Sequence, residues 1–232
     1  MLRISKKSPP ASGTLRVLAA LLGYPGAGMR GHLPQMRDIL RGEGALSPIR
    51  QTELEALIGS LGRADPLEIE ADYVELFDRG RATSLHLFEH VHGDSRDRGP
   101  AMIDLAQTYE KAGLYLAPDE LPDYLPVVLE FVSTQPAREA RAFLGEIAHI
   151  VNALFNALRQ RESAYASVFG ALLELAGEKA QPVKPAAEQP LDETWAEPPV
   201  FDGCSTKGQA GPGQPQPIRI VRRSDAGQGA SS

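Results

Sequence analysis

Between Asp72 and Asp104 the chain gathers His86, His90 and His92, the arginines Arg79, Arg81, Arg96 and Arg98, and interleaved carboxylates. His86-Leu87-Phe88-Glu89-His90 has the H-x-x-E-H spacing of inverted zinc metallopeptidases. On a helix, His86 and His90 would share a face and could chelate zinc, with Glu89 as general base and His92 as a spare imidazole. Nothing singles out a third ligand on a neighbouring helix, and Gly93-Asp94 would break the helix just after the motif. The other chemistry of this stretch is recognition. Ser95-Arg96-Asp97-Arg98-Gly99 alternates charge at the mouth of a helix, where exposed amides and carboxylates can hold a peptide. Capping plus surface ion pairs would account for the same residues without a ligand. Glu120-Leu121-Pro122-Asp123-Tyr124 is first a helix-start signature, and it could also present Asp123 and Tyr124 to a ligand. Polar groups this dense are costly to bury alone, so the stretch should face a cleft, a ligand or another protein. Histidines titrate near neutrality, so binding beside them should depend on pH.

Other chemistries find little support. Ser84, Ser95 and Ser133 lack a G-x-S-x-G setting. Gly80, Gly93 and Gly99 follow no strand and so cannot form a phosphate-cradling loop. Carboxylate pairs such as Glu68 and Asp72 stand at the spacing that solvated helix faces produce constantly. Cys204 is the single cysteine, so one chain cannot build a disulfide, a thiolate zinc site or iron–sulfur ligation. The formal charge is −6, which argues against nucleic acid as the main partner and suits a partner with a few positive charges.

The elements that must position these residues are helical. Alanine and leucine are abundant, aromatics make up 6%, and no alternating strand pattern or internal repeat occurs. Residues 1–13 read as a flexible arm. A helix from about Thr14 to Leu22 stops at Gly23-Tyr24-Pro25, and Pro34 opens a second that Gly42 ends. Ser47-Pro48 and Asp65-Pro66-Leu67-Glu68 cap and start two more, the latter carrying Tyr73, Val74 and Phe77 on one stripe. Helices are expected from Arg98 to Ala112, from Pro122 through Val132, from Pro136 to about Arg161, and from Ser163 to Gly177. The stretch from Pro136 carries the longest apolar stripe and should form the central helix. The expectation is an all-α, single-domain bundle of about eight helices over 14–177. Residues 178–232, rich in proline and glycine, read as a disordered tail with a possible docking patch at 195–201, Trp195 to Phe201. No apolar run has the roughly 18–20 residues needed to cross a bilayer. The N-terminal stretch imitates a signal peptide only faintly, which points to a cytoplasmic protein without membrane insertion.

Two runs of the hub closely resemble the signature of the nitrate reductase molybdenum cofactor assembly chaperones of the NarJ type. They are Tyr73-Val74-Glu75-Leu76-Phe77-Asp78-Arg79-Gly80 and Ser84 to Gly99. Glu120 to Tyr124 resembles the E-x-P-D-H motif of the wider TorD-like chaperones, with Tyr124 where histidine is usual. The similarity covers roughly Thr14 to Gly177, and Trp195 to Phe201 resembles a short element of the family's tails. The resemblance implies an all-helical cytoplasmic chaperone with no catalysis and no cofactor of its own. It further implies that the partner is the catalytic (alpha) subunit of respiratory nitrate reductase, bound through its twin-arginine-like N-terminal segment. The apo-enzyme would be held open for molybdenum cofactor and iron–sulfur cluster insertion before membrane docking. Helix-in-groove binding would lay apolar client side chains against Tyr73, Phe77 and Leu125. Asp123, Glu89 and Asp97 would meet basic residues, with His86, His90, His92, Arg98 and Tyr124 completing the site.

Overall fold

The computed structural model describes residues 11–93, 95–118 and 120–182. Its helices are α1 (Ser12–Leu22), α2 (Ala27–Gly31), α3 (Leu33–Glu43), α4 (Pro48–Arg63), α5 (Pro66–Phe77) and α6 (Leu87–Val91). They continue with α7 (Arg98–Lys111), α8 (Leu125–Thr134), α9 (Ala137–Glu146), α10 (Ala148–Gln160) and α11 (Ala166–Ala176). One 3₁₀ turn, Arg81–Thr83, joins α5 to α6. No strand occurs among the described residues, so the fold is all-α as expected. Residues 1–10 of the expected arm and 183–232 of the expected tail, including the patch at 195–201, lie outside the described residues.

Local chemistry explains several helix starts. The Ser47 hydroxyl accepts from the Arg50 amide, and the Asp65 carboxylate accepts from the amides of Leu67 and Glu68. In each case a first-turn proline supplies a fixed φ and withholds a donor that would go unused. Each such cap contributes about 1 kcal/mol.

The core is organised around α11, which buries nine of its eleven residues and packs on α1, α4, α9 and α10. On the other side α1 runs along α8, closing the interior with Leu18, Leu21, Leu125, Leu129 and Val132, all fully buried. The stretch expected to form one central helix from Pro136 to Arg161 is instead α9 and α10, broken at Ile147. Gly145 weakens the helix there. The His149 imidazole also bonds the Glu146 carbonyl at 3.1 Å, while the Ile150 amide turns to the Ile147 carbonyl at 3.0 Å. The apolar stripe runs through the break, which is why the pattern conceals it.

Candidate functional site

Two extended segments cross beneath α6 and hold the site together. The Leu125 amide donates to the Leu85 carbonyl at 2.9 Å, and the Leu87 amide donates to the Asp123 carbonyl at 3.0 Å. These bonds flank an antiparallel bridge between His86 and Tyr124. Their rings face each other, with centroids 5.3 Å apart and tilted by 32°. Pro122 and Pro126 bracket the second segment; the residue before a proline is pushed towards extended backbone. Accordingly α8 begins at Leu125 rather than Pro122, with Pro126 in its first turn.

The bridge turns the Asp123 side chain inward, where it has no solvent exposure. Asp123 Oδ2 accepts from the Phe88 amide at 3.1 Å, capping α6 from another part of the chain, and Oδ1 lies 3.3 Å from His86 Nδ1. Arg98 Nη2 sits 3.8 Å from Asp123 Oδ2 and 3.6 Å from Glu89 Oε1. An unpaired carboxylate at such depth would cost several kcal/mol, so these donors are what permit it. The hydrogen bond to Asp123 raises His86 above its ordinary pKa; partial burial opposes it, and the charges of Asp123 and Glu89 add to the rise.

A phenol cluster lies behind the bridge. The Tyr73 hydroxyl donates to the Leu22 carbonyl at 2.8 Å and pairs with the Tyr124 hydroxyl at 3.3 Å. Its ring packs on Phe77 at 4.9 Å and on Tyr24 at 5.7 Å. Burial pushes the Tyr73 phenol well up; it also raises Tyr124, against the bond to Tyr73. On the far side of Asp123, Tyr109 donates to the Pro122 carbonyl at 2.8 Å and stacks on Phe131 at 4.8 Å.

This geometry corrects the zinc reading of H-x-x-E-H. His86 is the extended residue ahead of α6, with φ −90° and ψ 108°, and not a member of that helix. His86 and His90 therefore share no helical face. The His90 Nε2 lies 2.8 Å from the Ser84 carbonyl; a carbonyl only accepts, so that nitrogen carries the hydrogen and has no lone pair for a metal. His92 meets Phe88 edge to face instead.

The expected recognition residues sort into two groups. Tyr73 and Phe77 are each 4% exposed, and Leu125 and Asp123 are 0% exposed. In this conformation they support the site from within. His86, Glu89, His90, His92, Arg98 and Tyr124 are half-buried around it, and Asp97 is exposed at the start of α7. The expectation that Asp123 is open to a ligand is thus corrected: the bridge and Arg98 enclose it. The roles of Tyr109 and of the Phe88 amide were missed. A lone tyrosine in a polar helix was the only available signal for the first, and a backbone donor leaves none.

Residues 43–171 match the family model described as nitrate reductase delta subunit. The chain belongs to this family. The nitrate reductase molybdenum cofactor assembly chaperone NarJ of Escherichia coli (strain K12) is 43% identical over 193 residues, covering 79% of this chain and 82% of that protein. The "Probable nitrate reductase molybdenum cofactor assembly chaperone NarJ" of Bacillus subtilis (strain 168) is 32% identical over 160 residues, covering 69% and 86%. A solved structure of a candidate redox enzyme maturation protein from Archaeoglobus fulgidus superposes with a TM-score of 0.53. It covers 76% of this chain and all of its own at 20% identity, which shows a shared fold alone. The delta subunit family is one of assembly chaperones, not of catalytic enzymes. Among the described residues, no helix is long and apolar enough to cross a membrane.

Proposed function

We propose that this protein is a cytoplasmic assembly chaperone for respiratory nitrate reductase. It binds the twin-arginine-like N-terminal segment of the catalytic subunit and keeps the apo-enzyme open for molybdenum cofactor and iron–sulfur cluster insertion before membrane docking. The observation that carries this reading is 43% identity to a named NarJ chaperone over 79% of the chain. The site supports it: carboxylates of Glu89 and Asp97 stand near half-buried aromatic and imidazole rings above the enclosed Asp123, a surface suited to a helix with apolar and basic side chains. Tyr73, Phe77 and Leu125 shape that surface from beneath, while His86, His90, His92 and Tyr124 form its rim.

Calorimetric titration with a synthetic peptide of that N-terminal segment, at two pH values, tests the proposal. Saturable binding near one-to-one is expected, tighter at the higher pH, where neutral His86 on the rim no longer repels the client's cations. Absence of heat at both pH values would remove the reading.

A further inference from the structure

α7 is attached unlike any other long helix of the fold. It spans fourteen residues and buries only Tyr109, whereas the eleven-residue α1 buries eight. Leu105 adds a half-buried contact with the core. Both flanks carry left-handed glycines, Gly93 at φ 52° and Gly113 at φ 79°. No atom lies within 4 Å of a Cβ built at Gly113, so glycine serves the backbone conformation there and not close packing.

What holds α7 is a set of contacts along one face. Arg98 reaches Asp123 and Glu89 at its start. Tyr109 bonds the Pro122 carbonyl and stacks on Phe131 near its end. Arg98, Leu105 and Tyr109 are separated by seven and four residues, and with about 3.6 residues per turn these positions share a stripe. One basic side chain followed by two apolar ones on a single helical face is the chemistry that the acidic and aromatic surface should select in a partner. Beside this contact lies an open cleft of about 390 Å³, lined by Tyr109, Leu114, Tyr115, Val127, Glu130 and Phe131, within the range of ligand sites.

We infer that α7 is an internal stand-in for the client: its Arg98, Leu105 and Tyr109 occupy the positions that a basic–apolar client helix takes when it displaces α7. This rests on the proposed chaperone reading and adds where the client's cation goes and what must leave first. On displacement, Asp123 exchanges the Arg98 guanidinium for the client's basic residue, and departure of Tyr109, which lines the neighbouring cleft, widens that cleft along Phe131. Exchange of one cation for another spares the buried carboxylate from standing alone. The accessible state is then a fraction of the population, and apparent affinity is reduced by that fraction.

The test combines peptide titration with hydrogen exchange read by mass spectrometry, on the full-length protein and its Arg98→Gln and Arg98→Lys variants. The probe is a synthetic peptide of the nitrate reductase catalytic subunit's N-terminal segment. Arg98→Gln keeps a polar side chain but loses the charge and the reach of the guanidinium to Asp123 and Glu89. It should speed exchange in α7 about tenfold, leave α1 and α8 unchanged, and tighten peptide binding roughly three- to tenfold by raising the open fraction. Arg98→Lys should restore values close to the parent's. Binding by the parent protein that Arg98→Gln leaves unchanged or weakens overturns the α7 inference alone. No binding by either protein overturns the chaperone reading, and the inference falls with it.

Discussion

α1 and α7 are both helices of this bundle, yet they are held by different physics. α1 lies against α8 with most of its residues buried, so its attachment is spread over many small apolar contacts, each Leu contributing about 1.5–3 kcal/mol. α7 is held by one phenol, one half-buried leucine and one guanidinium. Spread contacts fail together, giving cooperative unfolding; a few directional contacts fail locally. The bundle around α11 is therefore a rigid frame, and the α6–α7 side is the part whose rearrangement is affordable.

The sharpest way to break this contrast is to truncate one residue on each side. Phe169, fully buried in α11, should cost about 3–5 kcal/mol when changed to alanine. Ile103, 59% exposed on α7, should cost within about 0.5 kcal/mol for the same change. Urea denaturation measures both. Equal costs would show that α7 is as firmly part of the core as α11.

Next in size is the clasp between the two sides. Asp123→Ala leaves the Phe88 amide, His86 and Arg98 without their shared acceptor. Because His86 and Arg98 keep some access to water, about 2–3 kcal/mol is expected, less than for a fully buried pair. Asp123→Asn keeps an acceptor and should lose less. A neutral result for Asp123→Ala in denaturant titration would mean that the clasp holds nothing.

Legibility in the sequence follows the same division. The starts of α4 and α5 could be read because Ser47-Pro48 and Asp65-Pro66 state their chemistry within three residues. The all-helical class followed from Ala and Leu at helical spacing. That the polar hub and the segment around Asp123 belong together was legible, and how deeply each residue lies was not. His86 sits off the helix, and Asp123 sits inside the protein, because Leu85–Leu87 pairs with Asp123–Leu125. That pairing joins segments far apart in sequence, and nothing local announces it. For the same reason Glu120 to Tyr124 read as a helix start, and the acidic side chain was placed in reach of a ligand rather than beneath Arg98.

A smaller and more local effect should come from Gly113→Ala. The residue lies at φ 79° with open space around it, so a methyl group meets no neighbour and the cost is that of left-handed backbone, about 1 kcal/mol. It should appear as faster hydrogen exchange at the C-terminal end of α7, with α1 unaffected. Equal changes in both helices would show that this end of α7 is coupled to the frame.

The smallest effect expected is a pH dependence carried by His86, since the ring is half open to water. Its folded-state pKa is raised, first by the hydrogen bond to Asp123, so the folded state binds the proton more tightly than the unfolded chain. The resulting stabilisation is complete below the ordinary histidine value near 6.5, and it is lost as pH rises through the raised value. Thermal melting across that window should show the parent protein losing stability relative to His86→Gln as pH increases, with the two curves parallel at higher pH. Parallel curves throughout would mean that His86 contributes no proton-linked tie between the α6 segment and Asp123. An opposite slope would place the imidazole's proton on the unfolded chain, where no carboxylate waits for it.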